Sequence, residues 1–230
     1  MEQIFELVTD LSDMSKDPWM VANSYFLNIG FQGLVCGAAD RNTSSILGMF
    51  VKAPDSLLER YENERYAEID PWAQRALLNK DEFIYSFSSR DQVFPNRPAR
   101  VEALLVDLEA ENFRSSIMTT SHNHCSFVIG LNLWSKLIAH DFAQYIAEHH
   151  KTLSVAAFVV LARMSDAVSA AIQHNSDAQW LDYDVLANPL SRREQEVLTW
   201  LASGAKNDVI AFKMGISITT VNFHLISIRL

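Results

Sequence analysis

The last forty residues constrain the rest of this chain most strongly. From Leu190 the sequence runs LSRREQEVLTWLASGAKNDVIAFKMGISITTVNFHLISIRL. Ser191, followed three residues later by Glu194, forms a capping box, and Val197, Leu198 and Leu201 repeat at helical spacings of three and four. Gly204 closes this helix, because glycine enters the left-handed C-cap conformation without steric cost. A second helix is predicted over residues 207–214, with Val209, Ile210 and Met214 as its apolar side and Gly215 at its end. Ser217 then caps a third helix that reaches about Arg229 and is buried through Val221 and Leu225 or Ile228. Helix, tight turn, helix is the helix-turn-helix pattern, in which the last helix enters the major groove of DNA.

This segment resembles the C-terminal DNA-binding domain of LuxR-type transcription regulators. The resemblance rests on RREQEVL at 192–198, G-x-x-N at 204–207, Ile210-Ala211, and IS-x-x-TV-x-FH at 216–224. It implies that Thr219, Thr220, Asn222 and Arg229 lie on or near the exposed face of the recognition helix. Arg192, Arg193 and Lys206 are expected at phosphates, positioning the domain without specifying sequence. For Arg192 and Arg193 a solvated first helical turn explains the residues equally well. Two departures stand out. The family carries an acidic residue where Val209 stands, and its domain has a fourth, dimerising helix after the recognition helix, whereas this sequence stops at Leu230.

A chain of 230 residues suits one medium domain and one small one. Apolar residues make up 49%, enough for a core, and no stretch reaches the ~18 continuous apolar residues of a membrane helix. The start, MEQIFELVTDL, is acidic and amphipathic, not a basic region followed by an apolar run. The two cysteines, Cys36 and Cys125, read as buried thiols in a reducing cytoplasm. A net charge of −9 argues against indiscriminate nucleic-acid binding. From Asn188 onward five basic residues face three acidic ones, a net of +2, which leaves 14 basic against 25 acidic, −11, on the rest. A slightly basic tail on an acidic body fits a small DNA reader joined to a domain with another task.

The larger part reads as an α+β sensing domain, an α/β/α sandwich around a central antiparallel sheet, followed by the small all-α helix-turn-helix domain. Strands are predicted over 33–39 and 44–51, joined at Asp40, Arg41 and Asn42, and over 115–122 and 125–133, joined around Asn123-His124. Helices are predicted near 17–27, 54–64, 71–79 and 97–111, with a long apolar helix over about 142–172 that packs on the body and on a partner subunit. Periodicity fades after it and the stretch ends in Asn188-Pro189. The expected division is 1–173 for sensing and dimerisation, 174–187 for a linker, and 188–230 for DNA binding.

Residues 54–71, PDSLLERYENERYAEIDP, also resemble the autoinducer-binding domain of the same family. The resemblance implies a pocket for an N-acyl homoserine lactone, with Asp70 accepting a hydrogen bond from the ligand's amide N–H and Tyr61 lining the acyl side. The competing reading of Asp70 is a plain helix cap, since Asp at the N-cap with Pro at N1 is a common helix start. Tyr66 reads as a core aromatic. The family has a tryptophan that donates to the lactone carbonyl where this chain has Leu57, a tyrosine where it has Ala53, and a second tryptophan at Tyr85. The family's glycine pattern is replaced by Asn112, Phe113 and Ser116. Each lost donor costs a bound polar group about 1–3 kcal/mol, roughly one to two decades of affinity. Trp72 is placed to fill part of the vacated space. The expectation is therefore an altered pocket around Leu57, Tyr61, Asp70, Trp72 and Tyr85, one that takes a different small molecule or is filled by its own side chains.

His122, His124 and Cys125, and the pair His149-His150, lack zinc spacing, so neither a metal nor another cofactor is expected. No nucleophile elbow or phosphate-binding glycine loop occurs. The reading is a cytoplasmic quorum-sensing regulator rather than an enzyme. Its expected partners are a palindromic promoter DNA, a small signal and a second copy of itself, with no membrane. The alternative is a ligand-independent or dominant-negative protein that inhibits a full-length homologue by forming heterodimers.

Overall fold

The computed structural model describes residues 2–78, 82–122, 126–174, 180–182, 193, 196–197, 200–201 and 205–228. The chain divides into two units, Met1–Asp184 and Val185–Leu230.

The first unit is built on an antiparallel sheet. Strands β1 (Gly33–Asp40) and β2 (Ile46–Lys52) form one hairpin; β4 (Ser115–Ser121) and β5 (Phe127–Ser135) also pair. The two meet where β1 pairs with β5. Strand β3 (Phe83–Ser86) extends the sheet beyond β4, and β6 (Trp180–Asp182) adds to the far edge of β2, giving the order β3-β4-β5-β1-β2-β6. The two end strands have weak sequence signals: β3 is four residues long, and β6 is three residues inside the stretch read as a linker. The chain thus returns to the sheet after its long helix.

Residue alternation sends each strand's side chains to two different cores. Leu34, Cys36 and Ala38 of β1 and Ile129, Leu131 and Leu133 of β5 belong to one core. Helices α1 (Glu2–Ser12), α2 (Pro18–Asn28) and α7 (Ala139–His174) cover it, through Leu7, Phe26 and Val160 among others. Asp17 fixes the start of α2: its Oδ1 accepts from the N–H groups of Trp19 (2.7 Å) and Met20 (3.1 Å), with Pro18 at the first helical position. Helix α7, 36 residues long, contains a stretch long and apolar enough to cross a bilayer. Its stripe of Phe142, Ile146, Leu153, Val160, Met164 and Val168 is instead buried in the first core. The Tyr145 hydroxyl donates to the Ile29 carbonyl (2.7 Å) and Arg163 Nε to that of Leu11 (2.7 Å), which tie α7 to α2 and α1.

The other sheet face carries Met118, Val128 and Trp134, packed under α3 (Asp55–Asn63), α4 (Pro71–Leu78), α5 (Arg90–Val93) and α6 (Ala99–Ala110). This gives the α/β/α sandwich. Charged side chains clamp its outer helices together. Arg60 of α3 pairs with Asp107 of α6 (3.1 Å) and with Glu111 (2.8 Å), while the buried Tyr66 hydroxyl donates to Asp107 Oδ2 (2.8 Å). Arg100 Nη2 donates to the carbonyls of Glu64 (2.6 Å) and Arg65 (3.1 Å), bracing the turn in which Arg65 is left-handed at φ 53°.

In the second unit α8 (Asn207–Met214) and α9 (Ile218–Ile228) follow the predicted bounds. Gly215 sits at φ 63°, the left-handed C-cap, and the Ser217 hydroxyl accepts from Thr220 N–H (3.0 Å). Val197, Ile210, Ala211 and Val221 form the core, with Trp200, Met214 and Leu225 packed on it. Val209 departs from the expected apolar side: it is 40% exposed, because Ile210 and Ala211 take the buried positions of this short helix. Ser191, Glu194, Leu198 and Gly204, the predicted frame of the preceding helix, lie outside the described residues, as do Asn123, His124 and Cys125.

Candidate functional site

Between the second sheet face and the helices above it lies a cavity of about 110 Å³. Its floor is Val35 and Gly37 of β1, Met49 of β2, and Val128, Gly130 and Asn132 of β5; α3, α4 and α6 close it with Leu57, Tyr61, Trp72 and Leu108. The lining is largely apolar. Leu57 (5% exposed) and Ala53 both line it, at the positions where the resemblance implies a tryptophan and a tyrosine in the family.

Asp70 caps a helix and faces the cavity at once. Its Oδ1 accepts from the N–H groups of Trp72 (2.8 Å) and Ala73 (3.3 Å), capping α4, and its Oδ2 accepts from the Tyr61 hydroxyl (2.7 Å). A carboxylate offers about four acceptor sites. Three are taken, and the residue still lines the cavity. Burial pushes the Asp70 carboxyl above the usual carboxylate range, and the Tyr61 hydroxyl and the two backbone N–H groups pull against that shift. The site therefore holds a carboxyl that is costly to ionise, with about one of its acceptor positions not taken by Tyr61, Trp72 or Ala73.

Trp72 is 5% exposed and lines the cavity, and its indole N–H has no acceptor. The ring sits edge-on against Trp134 (centroids 4.8 Å) and Tyr85 (5.2 Å). Tyr85 itself is fully buried behind Trp72, amid Phe87 and Phe94, and is not among the cavity-lining residues; its hydroxyl has no partner. Of the five residues expected at the ligand, the structure brings Leu57, Tyr61, Asp70 and Trp72 to one cavity and places Tyr85 one layer back.

Sequence reasoning missed Asn132. It stands mid-strand on β5, opposite Val35 of β1 and Met118 of β4, 7% exposed, lining the cavity with its Oδ1 unpaired. A single carboxamide within the apolar run FVIGLNLW was the available signal, since a polar residue facing a core needs a partner.

In the second unit Thr219 and Asn222 are exposed on α9. The Asn222 Oδ1 accepts from Asn207 Nδ2 (2.9 Å), a contact that links α8 to α9. Thr220 is half-buried and its hydroxyl meets that of Ser217 (2.8 Å), so it belongs to the helix cap. Lys206 is exposed at the start of α8, and Arg193 is exposed but paired with Glu196 (2.9 Å). Arg192 and Arg229 lie outside the described residues.

Comparison with known proteins accounts for both units. The autoinducer binding domain family matches residues 17–164, and the luxR family of bacterial regulatory proteins matches residues 188–229. The transcriptional activator protein PhzR of Pseudomonas fluorescens is 27% identical over 180 residues, which span 76% of this chain and 64% of the length of PhzR. Among solved structures, the N-acylhomoserine lactone dependent LuxR family transcription factor CepR2 of Burkholderia cenocepacia superposes with a TM-score of 0.61 at 15% identity. It covers 73% of this chain and 97% of that one. Escherichia coli SdiA in complex with octanoyl-rac-glycerol gives 0.54 at 14% identity, covering 96% and 84%. At these identities the solved structures establish the fold. With the autoinducer binding domain matched over well more than half of its residues and a luxR-type segment after it, the chain belongs to the LuxR family of bacterial transcription regulators.

Proposed function

We propose that this regulator senses a neutral acyl compound of the N-acyl homoserine lactone kind in its first unit. Its second unit binds a palindromic promoter site as part of a homodimer. The observation that carries the reading is the cavity: a largely apolar chamber whose wall holds the Asp70 carboxylate with one acceptor site unused. An amide N–H at that site would compensate a half-buried carboxylate whose ionisation is disfavoured. CepR2 is described as N-acylhomoserine lactone dependent, which supports the same ligand class here. Tyr61 would hold Asp70 in place and Leu57 would pack on the ligand. Met49 and Met118, unbranched and adaptable, would yield to an acyl chain. That yielding is needed, because 110 Å³ is well below the roughly 300 Å³ at which drug-sized sites begin.

The ligand touches sheet and helices together, so its binding favours the conformation in which α3, α4 and α6 close on β5. A ligand that binds one state better shifts the population toward it. Residues up to 173 are assigned to sensing and dimerisation and those from 188 to DNA. In the second unit Thr219 and Asn222 are the base-facing candidates, with Arg229; Lys206, Arg192 and Arg193 would serve phosphates and Thr220 the cap. Dimerisation through α7 is supported by the exposed Val155 (50%) and Phe158 (68%) on its outer surface. A DNA target and a free thiol at Cys36 fit a cytoplasmic protein. No feature of the cavity or the helix pair favours the heterodimer reading.

The test is thermal unfolding of the whole chain with acyl homoserine lactones of increasing acyl length, followed by promoter binding with and without the best of them. Saturable stabilisation is the expected result. Absence of stabilisation by every member overturns the sensing assignment.

A further inference from the structure

The outer surface of α8 leaves an apolar pair exposed: Phe212 is 88% exposed and Val209 is 40% exposed. The opposite side of the helix is taken up by the core, where Ile210 and Ala211 are buried and Met214 packs beside them. At 3.6 residues per turn, Asp208, Phe212, Val209 and Lys213 follow one another in that order across roughly 140° of the outer surface. The apolar pair therefore sits between a carboxylate in the first turn of the helix and an ammonium in its last turn. Asp208 and Lys213 are both exposed, and among the described residues neither has an ion-pair partner. Lys213 Nζ lies over the Trp200 ring at 4.1 Å, which holds the ammonium at its end of the pair.

This arrangement is self-complementary. Turned antiparallel against a copy of itself, the helix sets Val209 opposite the partner's Phe212 and Asp208 opposite the partner's Lys213, at both ends alike, and opposes the two helix dipoles. We propose that α8 is a homotypic contact, in which the α8 helices of two chains pack antiparallel about a two-fold axis through Val209 and Phe212. Two apolar side chains from each copy fall far short of the roughly 1,200 Å² that a free-standing interface buries. The contact works instead as a second one, inside a dimer already joined elsewhere, where the tethered units meet at an effective concentration on the order of mM. The inference thus rests on the homodimer reading above and adds a second interface to it. It also gives the paired second units the two-fold symmetry of a palindromic site.

The experiment co-expresses two differently tagged full chains, one carrying Asp208→Asn and the other Lys213→Gln, and purifies the mixed dimer through both tags. Only one chain then keeps Asp208 and only the other keeps Lys213, so a bond between these two positions must join two chains. Zero-length carbodiimide coupling, which links a carboxylate to an amine only where they meet, is followed by peptide mass spectrometry. The expected result is a peptide pair linked through Asp208 and Lys213. Its yield falls about tenfold or more when Phe212→Ser is placed in both chains, because the contact loses its largest apolar side chain. Phe212 lies outside the core, so the melting temperature of that variant should not fall. A purified mixed dimer without this linked pair overturns the proposal. So does coupling of Asp208 to a different lysine instead, or a yield that Phe212→Ser leaves unchanged. If no mixed dimer is recovered at all, the homodimer reading itself fails, and that outcome is distinct from a dimer whose α8 helices do not couple.

Discussion

Under the proposed acyl-sensing function, Asp70 sets stability against ligand binding in one side chain. Its carboxyl is raised from 3.8 chiefly by burial. A raised value means that the folded protein holds a proton more readily than the unfolded chain, so the ionised form costs stability. That cost is absent below the unfolded value and complete once pH rises through the folded one. A ligand N–H needs the ionised carboxylate, so affinity should be constant above the raised value and fall as pH drops through it, which titration across pH would record. Asp70→Asn keeps an oxygen to cap α4 and should hold stability within about 1 kcal/mol while losing about tenfold or more in ligand affinity. Asp70→Ala also removes the cap, at about 1 kcal/mol more in a urea melt. Cys36 tells a simpler story: burial pushes its thiol up to about 12, and it is fully enclosed. It should resist aromatic disulfide reagents in the native protein and react at once on unfolding.

At the scale of elements, caps and close approaches decide where helices begin and strands pass. Gly215 is left-handed, and a Cβ added there would meet only open space, so Gly215→Ala causes no clash and carries only the conformational penalty of about 1 kcal/mol. Ser217→Ala removes the acceptor for Thr220 N–H and should cost a similar amount, about 1 kcal/mol. Both substitutions should lower the melting temperature of the second unit and weaken promoter binding. Gly33 behaves differently. A Cβ there would lie 2.8 Å from the Phe113 ring and 3.3 Å from the Lys52 carbonyl. Gly33→Ala should therefore destabilise by about 1–3 kcal/mol and push Phe113, a cavity-lining ring, out of place. Loss of ligand affinity beyond the loss of stability would separate this from a plain packing defect.

The whole molecule joins an acidic body to a tail of slight positive charge, +2 from Asn188 onward against −11 before it. Binding to random DNA should be weak at physiological salt, and promoter affinity should fall linearly on logarithmic axes, with a slope near −0.9 per phosphate contact. Because the described residues that line the cavity all lie within Met1–Asp184, a ligand bound there should raise the unfolding temperature of that unit by mass action. A melt that resolves two transitions would read this directly, with only one of them moving with ligand.

Much of this was fixed by local chemistry that a sequence exposes. The glycine and serine around α8 and α9, the Asp-Pro starts of α2 and α4, and the alternating runs of the two hairpins act over a few residues, so their type and approximate bounds are legible from residue order. The capping of α4 by Asp70 was legible for the same reason, and its partner Tyr61 lies only nine residues away. Other features depend on residues far apart in the chain. Strands β3 and β6 exist because β4 and β2 offer edges to pair with, and neither has the length to announce itself. Tyr85 retreats behind Trp72 because an aromatic cluster drawn from β3, β5 and the segment at Phe94 closes over it. Asn132 gains its meaning only when the register of β5 turns it into the cavity between Val35 and Met118. Burial, and with it the cost of an unpaired polar atom, is a property of the assembled layers, and no stretch of sequence carries it alone.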